Sequence, residues 1–203
     1  MHASAHVDAG TPNSRVSNFL ETHKFLKNKK VFLQHGLIKD LLPFCFYNST
    51  RADVFCCQAK AETEYVKKYF GYPVGNVKQT GLARFDNLLK VSVPKKQILL
   101  MPTWRAWLAK KEFKDEETAR KNFILSDYFK NYEQLISDEK LVSFLETNDL
   151  ELIFFVHSDM QPYWDMFTTK SNRVIVADAP KYDVQTLLME SKVLITDYSS
   201  VFF

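Results

Sequence analysis

Short apolar runs separated by mixed, helix-spaced segments recur along this chain, the rhythm of strands alternating with helices. The run Lys30-Val31-Phe32-Leu33-Gln34-His35-Gly36 predicts a strand closed by a glycine turn, with a short helix over 16–30 leading into it and a loose arm over 1–12 before that. Residues 52–57 predict a second strand and 61–70 a helix whose end is marked by Gly71 and Pro73. A brief strand over 77–81 and a helical turn over 84–90 follow, and Pro94-Lys95-Lys96 breaks the pattern. Beyond the break, 97–101 predicts a strand that ends at Pro102-Thr103-Trp104-Arg105. The charged stretch 110–121 suits a solvated loop or helix, and 128–148 has the spacing of one amphipathic helix. Residues 150–157 form a near-continuous apolar run of the kind buried on both faces of a parallel sheet. A strand over 174–177, a helix over 182–191 and a strand over 193–197 then lead into Tyr198-Ser199-Ser200.

This alternation predicts an α/β fold with doubly wound parallel sheets. The polar break places a domain boundary near residue 92, dividing 1–92 from 93–203. A strand, a Ser-Ser turn and the apolar Val201-Phe202-Phe203 call for a following helix, so the second domain is expected to be incomplete.

Composition narrows the picture only modestly. The 46% hydrophobic content, with 17 Phe and 9 Tyr, is that of a chain able to bury a core. A formal charge of +3 is too mild to argue for a nucleic-acid partner. Cys45, Cys56 and Cys57 match neither a disulfide framework nor zinc spacing and read as reduced, mostly buried thiols. No apolar run reaches bilayer-crossing length and no leader is evident, which predicts a cytoplasmic protein that can still touch a membrane surface.

In parallel α/β sheets ligands gather at the carboxyl ends of strands, and four polar clusters sit at such ends. They are Gln34-His35-Gly36, Thr103-Trp104-Arg105, His157-Ser158 and Thr196-Asp197-Tyr198-Ser199-Ser200. His35 before a glycine suits a general base, while the His-Gly pair taken alone reads more readily as a histidine satisfied within its turn. Arg105 is either a clamp on an anionic oxygen or one partner of a surface ion pair. His157 either approaches a ligand or bonds to a neighbouring loop. Ser199 and Ser200 can hold a diphosphate or cap a helix, and Asp197 can orient a ligand hydroxyl or act as an ordinary cap. The set as a whole suits phosphoryl chemistry.

Taken in order, Gln34-His35-Gly36, Gly81-Leu82-Ala83-Arg84-Phe85-Asp86, Pro102-Thr103-Trp104-Arg105, His157 and Thr196-Asp197-Tyr198-Ser199-Ser200 resemble the motif series of the CDP-glycerol glycerophosphotransferases. Ser158 and Ala83 stand where that family commonly has proline. The resemblance implies a GT-B-like fold of two Rossmann-like domains, acceptor-side over 1–92 and donor-binding over 93–203, both incomplete. It implies transfer of glycerol phosphate from CDP-glycerol to a lipid-linked glycerol-phosphate or glycan-lipid acceptor, releasing CMP, in teichoic acid or capsular polymer synthesis. The implied setting is the inner face of the cell membrane, with peripheral membrane contact and no cofactor or metal. By the same resemblance His35 is the catalytic base and Arg105, His157, Ser199 and Ser200 bind the donor phosphates, with Thr103 and Asp197 as further substrate contacts. A ribitol-phosphate or sugar transferase using the same residues, and an inactive fragment that only binds a partner or membrane, are the alternatives.

Overall fold

The computed structural model describes residues 3–4, 29–34, 36–90 and 93–202. Most of the expected N-terminal arm and of the expected first helix, as well as His35, lie outside the described residues; within the arm, Ala3–Ser4 form a strand rather than a loose segment, paired with Val31–Phe32. The chain divides into two compact units, one up to Asp86 and the other Asn87–Phe202.

The first unit is a parallel sheet in sequential order, β1 (Ala3–Ser4), β2 (Val31–Phe32), β3 (Val54–Cys57) and β4 (Val77–Gln79). The strand expected over 30–36 stops at Phe32, and by Gln34 the backbone has turned into the left-handed region at φ 47°. A short helix, α1 (Tyr47–Thr50), precedes β3 and ends at Arg51, also left-handed. The longer α2 (Lys60–Tyr69) follows β3 and ends where predicted, at Gly71, whose φ of +73° an L side chain rarely adopts. Its Val66 packs on Phe55, Phe70, Tyr72 and Val77 to form this unit's core. The polar atoms inside that core are chained: the Thr50 hydroxyl meets the Tyr72 oxygen at 2.6 Å, and Tyr72 donates to the Cys45 carbonyl at 2.8 Å. Cys45, Cys56 and Cys57 are buried free thiols, and burial pushes Cys45 and Cys57 up to about 12.

In the second unit β5 (Gln97–Leu100), β6 (Glu151–Phe154), β7 (Val174–Val176) and β8 (Val193–Ile195) are all parallel, in the order β7-β6-β5-β8. The chain thus adds strands in one direction from β5, then returns to its other side. Leu99 pairs with Ile153, and with Phe155, Ala177 and Leu187 they form one buried cluster. Leu100, Leu152, Phe154 and Val174 face the opposite cluster. Burial on both faces is why these strands read as continuous apolar runs rather than alternating ones.

Between β5 and β6 lie α3 (Glu116–Leu125), α4 (Asp127–Ile136) and α5 (Glu139–Thr147). The single helix predicted over 128–148 is therefore two. Asp138 accepts from the Leu141 N–H at 2.9 Å and so starts α5, an N-cap that outweighs the continuous apolar spacing across the break. Asp115 and Ser126 cap α3 and α4 in the same way. Phe123 of α3, fully buried, stacks on Tyr163 at 4.2 Å between ring centroids and meets Phe129 and Phe167 edge-on. Tyr163 belongs to a 3-10 segment, Ser158–Met166, for which the sequence reading has no counterpart. The last helix, α6 (Val184–Glu190), is capped by Asp183 and packs against β5. Among the described residues no helix is long and apolar enough to cross a membrane.

Candidate functional site

β8 lies beside β5 where the strand order reverses, the position at whose carboxyl edge wound α/β sheets bind ligands. Thr103 and Arg105 leave β5 there, and Asp197 leaves β8. The three are joined. Thr103 N–H donates to Asp197 Oδ1 at 2.8 Å and the Thr103 hydroxyl donates to the same oxygen. Arg105 Nη2 donates to Asp197 Oδ2 at 3.0 Å, while Nη1 turns back to the Thr103 carbonyl at 2.7 Å. One residue earlier, the Thr196 hydroxyl donates to the Met101 carbonyl at 2.6 Å. Asp197 thus fastens the β8 loop to the β5 loop.

Both charges are partly withdrawn from water, with side-chain exposures of 20% for Arg105 and 26% for Asp197. Burial works to raise the Asp197 carboxyl, but the hydrogen bonds from Thr103 and the Arg105 guanidinium outweigh it and hold the group below the usual carboxylate range. The Arg105 guanidinium also lies 4.9 Å from the Tyr198 ring centroid and 5.4 Å from that of Tyr128. Tyr128 is buried, its hydroxyl has no hydrogen-bond partner among the described residues, and burial raises its pKa. A guanidinium has five N–H donors, so Arg105 can keep its bonds to Asp197 and Thr103 and still present donors to an oxyanion.

His157 follows β6 and reaches this loop cluster through Trp104, on whose ring it stacks with centroids 5.7 Å apart. Its Nδ1 accepts the Asp159 N–H at 3.2 Å, which starts the 3-10 segment and leaves Nε2 as the protonated nitrogen of the neutral ring. Burial lowers its pKa, and the nearby Asp159 carboxylate only partly opposes that. At neutral pH the ring is therefore a hydrogen-bond donor rather than a charge. Lys111, whose ammonium lies 5.5 Å from the Trp104 centroid, is a cation of this region with no place in the motif reading.

Ser199 is half-buried, and its oxygen accepts the Val201 N–H at 3.3 Å, a capping bond. Ser200 opens a short 3-10 turn, Ser200–Phe202. The structure thus gathers Thr103, Arg105 and Asp197 into one bonded group, sets His157 beside it through a ring stack, and places Ser199 two residues past Asp197. His35 belongs to the other unit and lies outside the described residues; its neighbours are the left-handed Gln34 and the buried Gly36. Among the described residues no acidic, histidine or cysteine cluster could hold a metal ion.

Residues 11–203 match the family described as CDP-Glycerol:Poly(glycerophosphate) glycerophosphotransferase. The minor teichoic acid biosynthesis protein GgaB of Bacillus subtilis (strain 168) is 33% identical over 206 residues, covering 98% of this chain and 22% of GgaB. Among solved structures, the wall teichoic acid polymerase TagF superposes with a TM-score of 0.52 at 20% identity, covering 88% of this chain and 47% of TagF. A variant of TagF gives 0.56 at 21% identity, covering 86% and 46%. The chain spans about a fifth of GgaB and about half of TagF, and identities this low make the TagF likeness one of fold alone. With the family matched over nearly its whole length, this chain belongs to the CDP-glycerol:poly(glycerophosphate) glycerophosphotransferases.

Proposed function

We propose that this chain is part of an enzyme that transfers glycerol phosphate from CDP-glycerol to a glycerol-phosphate acceptor in teichoic acid synthesis, releasing CMP. The observation that carries this reading is the bonded group Thr103–Asp197–Arg105 at the reversal point of a parallel sheet, in a chain of this family. In the proposed reaction an acceptor glycerol hydroxyl attacks the β-phosphorus of the donor. A P–O bond to the acceptor forms, the pyrophosphate P–O bond breaks, and CMP leaves with the bridging oxygen. His35 takes the hydroxyl proton. Arg105 keeps its tie to Asp197 and turns its remaining donors to the donor phosphates, where negative charge builds as the bond breaks. His157 donates from Nε2. Ser199 and Ser200 supply hydroxyls to the same phosphates, while Thr103 and Asp197 hold Arg105 in place.

In this reading each parallel sheet is part of a Rossmann-like half of a GT-B enzyme, the first serving the acceptor and the second the donor. The acceptor is lipid-linked, and the protein meets it by peripheral contact at the inner face of the membrane.

The test is CMP release from CDP-glycerol in the presence of a glycerol-phosphate primer. Arg105→Ala should lower kcat/KM by about a hundredfold or more, the loss expected on removing one preorganised donor from a developing charge. An unchanged rate in Arg105→Ala removes the phosphate assignment, and an unchanged rate in His35→Ala removes the base. Faster turnover of CDP-ribitol or of a nucleotide sugar would redirect the donor assignment while keeping the phosphate site.

A further inference from the structure

Glu62, in the first turn of α2, is only 3% exposed, and among the described residues no lysine or arginine pairs with it. A buried carboxylate without a counter-cation is costly unless its oxygens are well bonded. Here they accept three hydrogen bonds. Oε1 takes the Ile38 N–H at 2.7 Å and Gln34 Nε2 at 3.1 Å, and Oε2 takes the Gln58 N–H at 2.6 Å.

These donors have a common feature: two of them stand on either side of position 35 in the chain. One carboxylate therefore fastens both flanks of the His35 loop and ties them to the end of β3 through Gln58. Gln34 is held a second time, its amide donating to the Cys56 carbonyl at 2.6 Å. This residue is not glycine, yet its φ is 47°, a strained conformation for an L side chain that persists only where surrounding contacts impose it. Packing of α2 does not ask for a carboxylate at position 62. The residue lies four before Val66 on the helix face that also buries Thr63, where an apolar side chain would serve the core without a desolvation cost.

We propose that Glu62 is a positioning residue: a buried carboxylate clamp that sets the loop carrying His35. This inference rests on the reading of His35 as the base.

The experiment measures kcat and KM for CMP release in the wild type, Glu62→Gln, Gln34→Gly, His35→Ala and the His35→Ala/Glu62→Gln double variant. Amide hydrogen exchange over residues 34–38 is followed in parallel. Glu62→Gln keeps the shape but turns an NH2 toward a backbone N–H, so one bond must break. Gln34→Gly accepts the positive φ but removes both side-chain ties, and it probes the same loop if Glu62→Gln folds poorly. Expected are a kcat lower by about ten- to a hundredfold in each single variant, a KM for CDP-glycerol within about twofold of the wild type, and exchange over 34–38 faster by about tenfold or more. In the double variant Glu62→Gln should cost nothing beyond His35→Ala, because it acts through that residue. A wild-type kcat in Glu62→Gln with a dead His35→Ala overturns the clamp and leaves the base standing. So does a Glu62→Gln loss that adds in full to that of His35→Ala. A wild-type rate in His35→Ala removes the base, and with it the catalytic part of the inference; unchanged exchange over 34–38 removes the structural part.

Discussion

Asp197→Asn isolates the bond group that joins the β5 and β8 loops. Wild-type Asp197 accepts the Thr103 N–H and hydroxyl and the Arg105 guanidinium. Asparagine can still accept from Thr103, but its NH2 then faces a guanidinium that can only donate. Hydrogen bonds to a charged group contribute about 1.5–3 kcal/mol each when buried. The side chains here are 20% and 26% exposed, and solvent screening reduces the ion-pair part to about 1 kcal/mol or less. A net loss of about 2 kcal/mol is expected, or roughly 4–10 °C in Tm for a unit of this size. The carboxyl is held below its ordinary 3.8 in the folded state, so its contribution is complete above that value and fades as pH falls through the lower folded value. Thermal unfolding followed by circular dichroism from pH 7 to pH 2.5 should therefore show a constant gap between wild type and variant at neutral and mildly acid pH, closing below about pH 3.8. Equal Tm values at pH 7, or a gap that persists at the acid end, would refute the reasoning.

Two further outcomes follow from packing and burial. Phe123→Ala, which empties a fully buried site between Tyr163, Phe129 and Phe167, should cost about 3–5 kcal/mol in denaturant unfolding; a cost below about 1 kcal/mol would show that the ring stack contributes little. The His157 ring should titrate by NMR below its ordinary 6.5, because burial disfavours the charged form, so the stability it lends is present above that pH and is lost as pH falls through the lower folded value; a midpoint above 6.5 would contradict this.

Local patterns carried much of the architecture. Gln97–Leu100 sits inside a run that reads as an apolar strand and Glu151–Phe154 inside one that reads as a strand buried on both faces, and Gly71 ends α2 where its backbone freedom is required. The break between α4 and α5 was missed because apolar spacing continues across Ser137-Asp138; the capping bond of Asp138 decides it. The 3-10 segment Ser158–Met166 has neither helical nor strand periodicity, so Tyr163 and Met160 could not be placed in the core from spacing.

At the site, the strand-end rule picked out Thr103, Arg105, His157 and Asp197 one by one. Their connection was not legible, because it depends on β8 pairing with β5 rather than with β7, a choice made by non-local contacts. The role of Glu62 is not legible for a related reason. A carboxylate on the face of a helix that buries Val66 is a visible conflict in the sequence, but its resolution by Gln34 and Ile38 is tertiary.

Strand order also has a consequence for how this protein becomes competent during synthesis. Thr103 and Asp197 are separated by 94 positions, so β5, β6 and β7 can leave the ribosome and pair while the carboxylate that secures Arg105 has yet to emerge. Joining ends so far apart is among the entropically dearest closures in the sheet and belongs among its late events. Until β8 docks, the guanidinium lacks its Asp197 bond and is left with the Thr103 carbonyl and the Tyr128 ring, so the geometry on which the proposed phosphate contact depends is the last part of this loop cluster to be completed.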